Sequence, residues 1–130
     1  MKRKDPIAEA RRYVENARTT LKENGELNLE MKRYEDDKYV RAAGSYLWLG
    51  VLMALDAVFH VRQDRRKRVD IEQYREAVAK RDKKLLGYVN DGYDVMHLSM
   101  MYDGVQAKDV SDVGFRLANT IIDRCEMMRS

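Results

Sequence analysis

The chain predicts an all-α protein, a four- or five-helix bundle with an apolar second helix at its centre, and three observations carry that prediction. Apolar residues make up 45% of the chain and charged residues 36%, enough to build a core and too hydrophobic for a disordered polymer. Seven glycines and one proline, Pro6, are too few turn residues for a sandwich or barrel of this length. Apolar residues recur at spacings of three and four along most of the chain, the period of a helix with one buried face. A chain of 130 residues fits one compact domain, so residues 1–130 are read as a single bundle.

Asp5-Pro6 predicts a helix start, because the Asp side chain can accept from a free backbone N–H and Pro at the first position loses no hydrogen bond. Ile7, Ala10, Val14, Ala17 and Leu21 then form one face, and Asn24-Gly25 predicts a left-handed stop. From Glu26 to Asp36 the pattern is mixed: Leu27, Leu29 and Met31 alternate like a strand, whereas Leu27, Met31 and Tyr34 suit a helix face, and a packed connection is expected. The second helix is expected from about Asp37 to Val61, with Glu35, Asp36 and Asp37 at its positive end. Val40, Leu47, Ala54 and Val61 form one row beside Ala43, Gly50 and Ala57, and the opposite side carries Tyr46, Leu49, Met53 and Phe59. Between Tyr46 and Phe59 only Asp56 is charged, so this helix is apolar almost all round and belongs at the centre, where Gly50 and the alanines admit a close neighbour. The uninterrupted apolar run from Tyr46 to Leu55 is short of the ~20 residues that cross a bilayer, so no membrane partner is expected.

Asp70 and Gln73 form a capping box that opens a third helix at Ile71, with Tyr74, Val78, Leu85 and Val89 on its inner face and Asn90-Asp91-Gly92 as its expected end. A shorter helix with Val95, Leu98 and Tyr102 follows, either separate or as the far half of one kinked rod, and stops at Asp103-Gly104. The closing helix is expected from about Asp109, with Val110, Val113, Leu117, Ile121 and Cys125 as its stripe.

Positive charge is concentrated after the apolar helix, in Arg62, Arg65, Arg66, Lys67 and Arg68. Arginine forks pair with phosphate, so this run is the candidate nucleic-acid-binding segment; the plainer reading, a solvated loop at the negative end of a helix, is preferred because no base-stacking or groove-reading signature accompanies it. Asp56 demands a partner, since an acid in an apolar helix must be paired, hydrogen-bonded or protonated. His97 or a tyrosine hydroxyl would satisfy it, and Asp56, His97 and Tyr102 are the buried polar candidates.

A metal site could be assembled from Asp56 with His60 and Asp94 with His97, each pair on one helical face, but the Glu-x-x-His motif of carboxylate-bridged bundle sites is missing. No P-loop, dinucleotide fingerprint or nucleophile elbow is present, and Cys125 reads as a small core residue. No catalytic residue, metal or cofactor is therefore expected. The basic start Met1-Lys2-Arg3-Lys4-Asp5 lacks the apolar run of a secretory signal, so the cytoplasm is the expected location.

The order of parts resembles the HEPN superfamily of small helical bundles, including small bacterial members with no assigned role. The resemblance spans Ile7 to Met127 and lies in three stretches: the Ile7–Leu21 helix, the run from Tyr39-Val40-Arg41-Ala42-Ala43 to Phe59, and His97-Leu98-Ser99-Met100-Met101-Tyr102-Asp103-Gly104 ahead of the closing helix. Ribonucleases of that superfamily carry an Arg and a His separated by four to six intervening residues, on chains that meet in pairs. Here His97 stands at the histidine position, but Gly92, Asp91 and Asn90 hold the arginine positions and Arg81 is too far away. The resemblance thus implies the bundle and pairing of chains without the nuclease. The expected function is a non-catalytic, self-associating interaction module, a homodimer with room for an unidentified protein partner. The alternative is an RNA- or nucleotide-binding module that uses the 62–68 segment.

Overall fold

The computed structural model describes residues 5–64 and 67–129. The first helix, α1 (Pro6–Asn24), starts as its sequence predicts: the Asp5 carboxylate accepts from the Ile7 amide at 3.0 Å, and Ile7, Ala10, Val14, Ala17 and Leu21 are buried. Its end differs. Gly25 is right-handed (φ −71°) and its amide donates to the Leu21 carbonyl at 2.9 Å, while the left-handed residue is Glu26 (φ 53°). Gly25 is needed for room, because a Cβ there would lie 2.7 Å from the Leu21 carbonyl and 2.8 Å from the Tyr34 ring.

The connection to the second helix is a minimal hairpin. β1 (Leu27–Asn28) pairs antiparallel with β2 (Arg33–Tyr34), so the alternating reading of Leu27 was the better guide to its backbone. Tyr34 packs against the core, but Leu29 is 79% and Met31 64% exposed, so the tip is not packed.

The central helix is α2 (Asp37–Phe59), capped by the Asp36 carboxylate, which accepts from the Lys38 amide at 3.0 Å. It ends two residues before the expected Val61 because His60 is left-handed (φ 53°) and donates its amide to the Asp56 carbonyl. Among the described residues α2 alone is long and apolar enough to cross a membrane, and half of that stretch is buried against neighbouring elements. It packs on α1, on the closing helix and on the segment before it. A Cβ at Gly50 would lie 2.9 Å from the Ala10 carbonyl, so the close neighbour expected there is α1.

The expected third helix is two helices. α3 (Ile71–Ala79) opens with the predicted box, the Asp70 amide donating to Gln73 Oε1 at 3.1 Å, and α4 (Lys83–Gly92) begins at a fresh cap, Asp82, whose carboxylate accepts from the Leu85 amide at 3.0 Å. Arg124 grips the same carboxylate at 2.6 and 3.1 Å, tying the start of α4 to the closing helix. The inner-face residues Tyr74, Val78, Leu85 and Val89 are all buried despite the break. Asn90-Asp91-Gly92 does not stop the chain: Gly92 keeps helical angles (φ −62°, ψ −41°) and the rod continues as a π-helix (Tyr93–Tyr102).

This π-helix changes which side chains face inward. Its i→i+5 bonding, seen where the Asp103 amide donates to the Leu98 carbonyl at 2.8 Å, widens each turn beyond the α-helical 3.6 residues. Met96 and Met100, four apart, are buried; Val95 and Leu98 are half-buried, and Tyr102 is 64% exposed, so Tyr102 is not the buried polar residue the sequence proposed.

The closing helix, α5 (Lys108–Arg129), has its buried line one position round from the expected stripe. Ser111, Gly114, Ala118, Ile121, Ile122 and Cys125 are buried, whereas Val110, Val113 and Leu117 are half-buried. The small residues let α5 lie close to α2 and the π-helix. Cys125 is sealed in the core, and burial pushes its thiol up to about 12, out of reach of thiolate chemistry near neutral pH. Arg11 of α1 bridges to Asp123 and Glu126 of α5 at 3.0 and 3.1 Å. The fold is thus an all-α bundle, with five α-helices, one π-helix and a two-strand hairpin among the described residues.

Candidate functional site

Asp56 and His97, two of the polar candidates, lie on the outer side of α2, where α3 and the π-helix leave two adjoining cavities. The first, 260 Å³, lies between Trp48 and Leu52 of α2, Arg68, Val69 and Asp70 ahead of α3, Ile71 and Tyr74 of α3, and Tyr93 and His97 of the π-helix. The second, 310 Å³, runs past Leu49, Leu52 and Met53 towards Asp56, with Tyr13 and Tyr74 on its sides. Leu52 and Tyr74 line both.

Asp56 finds its partner in a tyrosine hydroxyl, one of the two kinds of partner expected, and the tyrosine is Tyr74. Its Oδ2 accepts from the Tyr74 hydroxyl at 3.0 Å and its Oδ1 from the Arg62 amide at 3.0 Å. Burial raises its pKa, and the two hydrogen bonds pull the other way. Burial and the Asp56 carboxylate hold the Tyr74 phenol far above its ordinary value. The contact pins the chain after α2, and α3, to the end of the central helix. His97 lines the other cavity, with Tyr74 standing at the boundary, and the hydrogen bonds of Asp56 go to Tyr74 and Arg62.

His97 sits in a cluster of rings, 5.0 Å from Tyr93, 5.8 Å from Tyr102 and 6.0 Å from Trp48 between centroids. Its Nδ1 is buried with no hydrogen-bond partner, and burial lowers its pKa. Arg75, which the sequence reading did not single out, lies over Tyr93 at 5.2 Å and bonds Asn90 Oδ1 at 2.8 Å. Trp48 and Tyr93 were missed as well. The signals available were the single Trp of the chain and the four-residue spacing from Tyr93 to His97.

Of the basic candidates, Arg62 lines the second cavity and Arg68 the first, and Lys67 is exposed. Arg65 and Arg66 lie outside the described residues. The four residues of the hypothetical metal site are not brought together, and among the described residues no three His, Cys, Asp or Glu side chains converge to hold a metal ion.

An all-helical bundle with paired aromatic cavities beside its central helix is the class that fold and site define. Within it, this chain belongs to the family described as Domain of unknown function (DUF5618), whose model matches residues 5–127. It is similar to a solved structure, a protein of unknown function from Dyadobacter fermentans, at 36% identity over 96% of each chain, with a TM-score of 0.85. A search of curated proteins finds no match.

Proposed function

We propose that this chain is a cytoplasmic, non-catalytic interaction module that pairs with a second copy of itself across the outer side of α2. One observation carries the reading: the most apolar helix leaves Leu49 48% exposed, in line with half-buried Tyr46, Leu52 and Met53. A two-fold contact uses the same patch on both copies, so it must be self-complementary and free of like charges near its axis. α2 carries no charged side chain from Ala42 to Leu55. An antiparallel crossing at Leu49 sets Tyr46 of one copy on Leu52 of the other and small Ser45 opposite Met53. A HEPN-like descent of the bundle belongs to this proposal and is supported by the helix order. The test is mass in solution: light scattering is expected to return twice the 15.3 kDa chain mass at micromolar concentrations, and Leu49→Asp to return one chain mass. A single chain mass for the unaltered protein at all concentrations rejects the reading.

A second reading, a nucleotide- or RNA-binding module, is favoured by a different observation. Arg68 stands at the cavity that Trp48, Tyr93 and His97 line, combining ring faces for a base with a cation for its phosphate. Adenosine monophosphate is expected to change the fluorescence of Trp48, with affinity falling as salt rises and on Arg68→Ala. No change at low salt rejects it.

A further inference from the structure

Away from the outer side of α2, the end of α1, the hairpin and the start of α5 leave a third cavity of 390 Å³, within the range of about 300–1,000 Å³ usual for small-molecule sites. Leu21, Leu27, Tyr34 and Phe115 give it apolar walls. Its charged lining is lopsided, with Arg18, Lys22 and Lys108 against Asp112 alone. Two of these cations are already answered: Lys108 pairs with Asp112 at 2.7 Å, and Arg18 meets Glu15 at 3.4 Å while its guanidinium covers one face of Phe115. Lys22 has no ion-pair partner among the described residues. Tyr34 is half-buried, its backbone is tied to Gln106, and its hydroxyl makes no hydrogen bond to a described residue.

One unanswered cation and one unused donor beside apolar walls match a ligand with a single negative charge and a hydrocarbon body. A dianion would find one free counter-charge, and a neutral alkane would leave Lys22 and the phenol unused. We propose that this cavity binds a small amphipathic monocarboxylate, its hydrocarbon body against Leu21, Leu27 and Phe115 and its carboxylate between the Lys22 ammonium and the Tyr34 hydroxyl. Charge-assisted hydrogen bonds to a carboxylate are the stronger kind, and the apolar walls supply area burial.

The experiment is an amide chemical-shift titration of the isotope-labelled full chain with octanoate. Saturable shifts confined to residues 18–34 and 108–115 are expected, with affinity about tenfold weaker for octan-1-ol and for Lys22→Glu, an exposed site whose change leaves the fold intact. The Leu49→Asp variant is expected to bind octanoate as the unaltered chain does, which separates this site from self-association. An unsaturable response, shifts centred on α2, or equal affinity for octanoate and octan-1-ol overturns the proposal. So does binding to phosphatidylglycerol vesicles without a response to free octanoate.

Discussion

The two sides of α2 are equally apolar in sequence and unequal in the fold. Facing inward, Val40, Ala43, Leu47, Val51 and Ala54 are fully buried; facing outward, Tyr46, Leu52 and Met53 are half-covered and Leu49 is exposed. The difference lies in side-chain size. Small residues on the inner side admit α1 and the π-helix to backbone contact: a Cβ at Gly44 would lie 2.7 Å from Met100 Cβ. The outer side is made of large residues that hold neighbours apart and leave cavities between them. Hydrophobicity says that a helix is buried, and the distribution of small residues says on which side.

Substitution on the two sides should separate these roles. Leu47→Ala, on the inner side, opens a cavity in a closed core and is expected to cost about 2–5 kcal/mol in chemical denaturation. Asp56→Ala, where the outer side ends, strands the buried Tyr74 hydroxyl and the Arg62 amide and is expected to cost about 1–3 kcal/mol, whereas Asp56→Asn keeps an acceptor and costs less.

The His97 effect depends on pH. Its pKa is lowered in the folded chain, so its contribution is present above the unfolded value of about 6.5 and is lost as pH falls through the folded value. Melting temperature is expected to drop over that interval for the unaltered chain and to stay flatter for His97→Phe. Smallest of all, Leu49→Ala should change stability by no more than about 0.5 kcal/mol while weakening self-association. Should Leu49→Ala cost as much as Leu47→Ala, the two sides would not differ in the way described.

The α1 seam was fully legible, because Ile7, Ala10, Val14, Ala17 and Leu21 are apolar at an unbroken helical spacing and the rest of the helix is largely polar. The α5 seam was displaced because Ser111, Gly114 and Ala118 do not look like core residues, although they are what lets α5 approach. The break at Asp82 was hidden by the stronger stop signal at Asn90-Asp91-Gly92, which tertiary packing overrides. That Asp56 needed a partner followed from its place in an apolar run. That Tyr74 supplies it did not, since Tyr74 also satisfies a core spacing and sits across a chain reversal. The Trp48–Tyr93–His97 grouping depends on the π-helix, and the apolar spacing of Val95, Leu98 and Tyr102 does not distinguish that winding from an α-helix.

Rewound as an ordinary α-helix, Tyr93–Tyr102 would place successive side chains at about 100° intervals, and Met96, His97 and Met100 could not all keep their present neighbours. The wide winding is therefore held from outside, by the grip of Arg41 on the carbonyls of Tyr102 and Asp103 and by the bare backbone of Gly44 beneath it. Deuterium from solvent should enter this rod ahead of α1, α2 and α5.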